Sequence, residues 1–120
     1  MIELDPAHIV GTGGALGALL RQFISERVEG DGFPLQTMTV NVVGSFALGF
    51  VTFLGLDNDL LLFLGTGACG SFTTFSSFAF ETVRLWETGQ RPRAVVNAAG
   101  NLLGASFAIG LAWALTRGFV

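Results

Sequence analysis

The chain has 120 residues, 51% of them hydrophobic and only 12% charged, about half the charged share of an ordinary globular domain. Six arginines and no lysine stand against nine acids, and the net charge of −3 excludes a basic nucleic-acid binder. One cysteine, Cys69, cannot form an internal disulfide, and no histidine–cysteine cluster exists to hold a metal by side chains.

A spanning helix takes about 20 mainly apolar residues, and long uncharged stretches with short polar interruptions fill most of this chain. The start, Met1 to His8, is acidic and lacks the positive region of a secretory signal. The first apolar segment is therefore read as mature structure. It runs over residues 7–25, and its Gly11, Gly13, Gly14 and Gly17 suit close approach of another helix. Arg21 lies near its end. Glu26 to Pro34 mixes charge with glycine and proline, the composition of a loop.

The second span is expected over residues 36–56, where Thr37, Thr39, Asn41 and Ser45 interrupt an apolar background, and Asp57, Asn58 and Asp59 form its exit turn. The third, residues 60–86, has a centre rich in glycine and hydroxyl residues, a poor helix centre. In a bilayer, broken backbone survives only where protein or a water-filled cavity satisfies its freed groups. The segment is read as two half-helices with a break near Gly70 to Thr74. Glu87 to Arg93 is the last loop, and the fourth span covers residues 94–115 with Asn97, Asn101 and Ser106 as polar members and Gly100 and Gly104 as a packing face.

The fold expected is an all-α integral membrane protein, one four-span domain over residues 1–120, multi-pass in the plasma membrane. Such a chain leaves no room for a catalytic domain, so no enzyme is expected. Four helices make a thin wall, and a conduction path needs a second subunit. Arg21, Arg27, Arg84, Arg91 and Arg93 fall toward one side and Arg117 toward the other, a moderate bias that places both termini outside.

Asn41 must find hydrogen-bond partners in mid-span, because an unsatisfied amide in hydrocarbon costs several kcal/mol. It serves either as interhelical glue or, with Thr37, Thr39 and Ser45 nearby, as part of a polar track. Phe75 and Phe78 are three residues apart and share a helix face just after a run of hydroxyls. Packing or lipid contact is the ordinary use of phenylalanine in a membrane. Yet a phenyl ring has a positive edge, and two edges aimed into a pore stabilise a small anion without a fixed cation that would bind it too tightly. Glu81 and Arg21 are ionisable groups for which a functional role and a helix-end role compete. His8 and Cys69 are read as packing residues.

These blocks together resemble a known family. Gly13-Gly14-Ala15-Leu16-Gly17-Ala18-Leu19-Leu20-Arg21, Phe33-Pro34 with Thr37, Val40-Asn41-Val42-Val43-Gly44-Ser45-Phe46, and Gly70-Ser71-Phe72-Thr73-Thr74-Phe75-Ser76-Ser77-Phe78 look like the signatures of the Fluc (CrcB) fluoride channels, in order and spacing over the whole chain. The resemblance implies passive fluoride export by an antiparallel dimer, with a structural sodium ion (Na+) at the dimer centre. It implies pore roles for Phe75, Phe78 and Asn41, with Thr37 and Ser76 in or beside the lining, and vestibule or helix-end charges at Arg21 and Glu81. The backbone carbonyls of Gly70 and Thr73 would hold the sodium. Asn97 and Asn101 are the nearest substitutes for a fourth-span hydroxyl track.

The chain departs from the pattern at Ser71, where a second glycine is common, at Gln22 and at Gln36. Partners expected are fluoride, membrane lipid, and either an identical copy or an oppositely oriented homologue. Two competing readings are a small multidrug-type antiporter and a non-transporting membrane assembly subunit. The first needs a deep carboxylate in the first span, which this span lacks; the second leaves the broken third span without a purpose.

Overall fold

Asp5 starts the first helix: its side chain accepts the Ala7 N–H at 2.9 Å while Pro6 occupies the first helical position, where a missing N–H costs nothing. The computed structural model describes residues 3–119, so Met1, Ile2 and Val120, at the ends of the expected 1–120 domain, lie outside the described residues. All regular structure among them is helical, with no strand. Helix α1 is Pro6–Arg27 and α2 is Leu35–Phe53. A continuous helical stretch, α3, joins Asn58–Leu60, the wide-turned Leu61–Cys69 and Gly70–Phe72; α4 is Phe75–Glu87 and α5 is Arg91–Thr116.

The turns follow local chemistry. Between α1 and α2 the chain reverses through Asp31 at φ 50° and Gly32 at φ 85°, and the Arg93 guanidinium donates to the Asp31 carbonyl at 3.4 Å. Asp57, Asn58 and Asp59 were expected as one exit turn. Instead Asp57 caps α3 by accepting the Leu60 N–H at 2.9 Å, so Asn58 and Asp59 already belong to that helix.

Three helices are long and apolar enough to cross a membrane: Leu35–Phe53, the stretch Asn58–Glu87 that takes in α3 and α4, and Arg91–Thr116. Helix α1 has 22 residues, rising about 33 Å at 1.5 Å each, but it is less apolar than those three. Large apolar side chains such as Leu19, Phe80, Leu102, Leu103 and Phe107 stand exposed around the outside, as they do where lipid rather than water is the solvent.

Small residues set the packing. The broadest contacts join α2 to α5 and α1 to the wide-turned part of α3. A methyl group at Gly13 would collide with the Phe63 carbonyl, and one at Gly17 with the Ala68 carbonyl, so these two glycines let α1 and α3 meet backbone to backbone. Ser71, one of the departures from the family pattern, ties the same pair by donating to the Gly14 carbonyl at 2.7 Å. On the other side, Gly100 and Gly104 of α5 receive the Met38 and Val42 side chains of α2.

Candidate functional site at the helix interruption

Helical geometry stops for two residues: Thr73 (φ −84°, ψ 160°) and Thr74 (φ −148°, ψ 119°) are extended. The interruption is narrower than the expected window of Gly70 to Thr74, because Gly70 keeps helical angles of φ −62° and ψ −34°. Two adjacent β-branched residues with hydroxyls suit extended backbone and caps better than helix interiors. The Thr74 hydroxyl caps α4, accepting the Ser77 N–H at 3.2 Å.

Asn41 closes the gap in the ladder. Its Oδ1 accepts the Thr74 N–H at 2.8 Å and its Nδ2 donates to the Thr74 carbonyl at 3.0 Å. One amide therefore satisfies both polar groups of an extended residue, as a strand partner would. Its second Nδ2 hydrogen goes to Asn101 Oδ1 at 3.1 Å. Asn101 in turn donates to the Asn97 carbonyl at 2.8 Å and to its Oδ1 at 3.1 Å. Asn97 donates to the Thr82 hydroxyl at 2.8 Å, and Thr82 to the Phe78 carbonyl at 2.7 Å. This chain of side chains ties α2, α4 and α5 together at the level of the interruption.

Beside it lies a cavity of about 340 Å³ lined by Asn41, Ser45, Leu48, Thr73, Thr74, Phe75, Phe78, Asn101, Leu102 and Ala105. The two rings, centroids 5.8 Å apart and tilted by 57°, share this cavity, and Phe75 is 79% exposed on the subunit surface. Of the residues expected in the lining, Asn41, Phe75, Phe78 and Asn101 meet here. Asn97 does not: it is fully buried between α4 and α5 and acts on the cavity only through Asn101. Ser76 is exposed next to the cavity, its Oγ 3.4 Å from the Thr74 hydroxyl.

Thr37 sits apart from the cavity. Buried near the start of α2, it donates to Glu81 Oε1 at 3.0 Å, and Glu81 Oε2 is buried with no partner. Glu81 also borders a wider polar cavity of about 760 Å³ toward the α1–α2 loop, with Gln36 and Arg84. Arg21 is half-buried and points at the interruption, its Nη1 3.4 Å from the Thr73 carbonyl oxygen. That contact separates it from the helix-end arginines, for it lies well before the end of α1.

Among the described residues no group of histidine, cysteine, aspartate and glutamate is placed to hold a metal, and Cys69 is buried and free. Backbone oxygens are the alternative. Gly70 lacks its usual helical donor, because the Thr74 N–H is turned to Asn41, and Thr73 has only the long Arg21 contact. Two such carbonyls at a helix C-terminus are chemically suited to a hard cation.

Over residues 8–115 the sequence matches the family described as CrcB-like protein, Camphor Resistance (CrcB). The chain belongs to the CrcB family. This CrcB protein is 56% identical over 117 residues to "Fluoride-specific ion channel FluC 2" of Haloarcula marismortui, covering 98% of both chains. It is 48% identical over 110 residues to "Fluoride-specific ion channel FluC 1" of Halobacterium salinarum, 92% of both chains. With "Fluoride-specific ion channel FluC" of Ruminiclostridium cellulolyticum it shares 47% over 105 residues, 81% of both. Family and apolar helices together make the CrcB chain a multi-pass membrane protein.

Proposed function

We propose that this chain is a fluoride-selective channel that exports fluoride passively across the plasma membrane, protecting the cell from fluoride toxicity. The observation that carries the reading is the 56% identity over 98% of both chains to a protein named as a fluoride-specific channel. The geometry supports it. Phe75 and Phe78 both line one cavity, where positive ring edges can favour an anion, and no charged residue lines it to hold the ion too long to let it pass. Asn41 keeps the interruption open by satisfying Thr74, so its role in the pore is to shape the lining. Arg21, Thr37, Glu81 and Ser76 stand at the approaches, and the Asn101–Asn97 pair braces the lining from α5.

In this reading α1, α2, the α3–α4 stretch and α5 are four spans, the third broken at Thr73–Thr74. The exposed Phe75 leaves the pathway half-built in one subunit, which favours a dimer, antiparallel with an identical copy or an oppositely oriented homologue. The carbonyls of Gly70 and Thr73 would hold a sodium ion between the two copies, supplying a positive bridge that ties the subunits together. Arg21, now beside Thr73, has to give way for it.

A multidrug-type antiporter requires a carboxylate deep in α1, whose only acid is Glu26 in its last turn. A purely structural subunit gives the interruption and the phenylalanine pair no purpose. Planar-bilayer recording under a fluoride gradient separates all three. A channel gives current that reverses at the fluoride equilibrium potential whatever the pH gradient; reversal that follows the pH gradient means coupling to protons, and silence both alone and with an oppositely oriented homologue means a structural subunit.

A further inference from the structure

An anion that sheds water needs hydrogen-bond donors, and the cavity beside the interruption has few left. Both Nδ2 hydrogens of Asn41 are engaged, with the Thr74 carbonyl at 3.0 Å and Asn101 Oδ1 at 3.1 Å. Asn101 has turned its own Nδ2 to Asn97, at 2.8 and 3.1 Å. The Thr73 hydroxyl donates back to the Cys69 carbonyl at 3.0 Å, and the Thr74 hydroxyl to Ser77 Oγ at 3.1 Å.

Ser45 is the exception. It lies one turn beyond Asn41 on the same face of α2, lines the same cavity, and its hydroxyl makes no hydrogen bond to any described residue. Neighbouring hydroxyls on the same helix behave differently: Thr39 and Thr52 bond to carbonyls of their own helix at 2.8 and 2.6 Å. Nor is the Ser45 oxygen sealed in protein, since the buried side-chain polar atom without a partner among the described residues is Glu81 Oε2. Its hydroxyl therefore opens on the cavity.

We propose that the Ser45 hydroxyl is the hydrogen-bond donor this cavity offers directly to a passing fluoride, an inference that rests on the channel reading above. Fluoride is the smallest and most charge-dense halide, so it gains most from a short O–H···anion bond, and a bond to an ion is about twice as strong as a neutral one. A neutral hydroxyl also lets the ion leave. The ring edges of Phe75 and Phe78 then act beside a true donor.

The experiment is fluoride efflux from liposomes holding the full chain, unaltered or as Ser45→Ala, Ser45→Thr and Ser45→Cys. Because the hydroxyl is unpartnered, its removal leaves no other group stranded, and Ser45→Ala should reconstitute normally. Efflux should fall about tenfold or more, the loss of one bond to an ion, while Ser45→Thr, which restores the hydroxyl, stays close to the unaltered chain. Should Ser45→Ala not reconstitute, Ser45→Cys, nearly the same shape with a weak donor, carries the same expectation. Efflux within twofold of the unaltered chain in Ser45→Ala overturns the proposal. Equal losses in Ser45→Ala and Ser45→Thr overturn it too, by tracing the effect to shape. An unaltered chain that carries no fluoride, alone and with an oppositely oriented homologue, would instead remove the channel reading beneath it.

Discussion

Asn41 was legible in the sequence as a polar residue needing partners in mid-span, and its two competing uses, glue and pore amide, both had physical grounds. The structure gives it three hydrogen bonds that hold Thr74 and Asn101. Local sequence carries no trace of this, because the partners lie 33 and 60 residues away. Replacing Asn41 by leucine should strand the Thr74 peptide and cost about 2–3 kcal/mol, visible as a lowered unfolding temperature in detergent; an unchanged temperature would refute that role. The spacing of Phe75 and Phe78 put both rings on one helix face, and the structure brings both to one cavity. Phe75→Ile and Phe78→Ile keep apolar bulk but remove the ring edges, so each should cut fluoride flux strongly while leaving assembly intact. Unchanged flux in both would take the pore away from them. Arg21 shows the reverse case: its sequence position left a functional role and a helix-end role in competition, and only the fold brings it to Thr73.

Helices α1, α2 and α5 fall within a few residues of the expected spans at most ends, since apolar runs bounded by glycine, proline and charge mark them well. Less legible was the third segment. Its glycines and hydroxyls announced an interruption but not its place, because glycine accepts helical angles as readily as it leaves them, whereas Thr73 and Thr74 are the residues that turn extended. The wide turns over Leu61–Cys69 leave no signature in hydrophobic periodicity. Packing glycines were foreseen as a group, and the structure sorts them. Gly13 and Gly17 face α3, while Gly11 has open space beside it. Gly13→Leu and Gly17→Leu should each force α1 away from α3 and abolish monodisperse elution in detergent. Gly11→Leu should elute normally, and an intact Gly17→Leu protein would contradict the backbone-to-backbone contact.

Arginine and aromatic rings pair at both ends of the molecule: Arg27 lies 3.5 Å from the Phe23 ring centre and Arg91 4.8 Å from that of Trp86, while Arg117 lies 4.7 Å from the Trp113 ring at the opposite end. Such pairs suit membrane–water interfaces. They also leave the charge bias moderate, so an antiparallel pair of identical chains requires both orientations in one membrane. A Thr88→Cys label in the α4–α5 turn reads this directly, because the native Cys69 is buried. An impermeant thiol reagent should modify part of the population from each face; labelling from one face only would require an oppositely oriented homologue as partner. The central claim, that this chain conducts fluoride, is tested most directly by loading liposomes that contain it with potassium fluoride and following release with a fluoride electrode. Rapid release is expected once a potassium ionophore carries the compensating charge, with chloride retained. Fluoride held inside after ionophore addition, alone and with an oppositely oriented homologue, would contradict it.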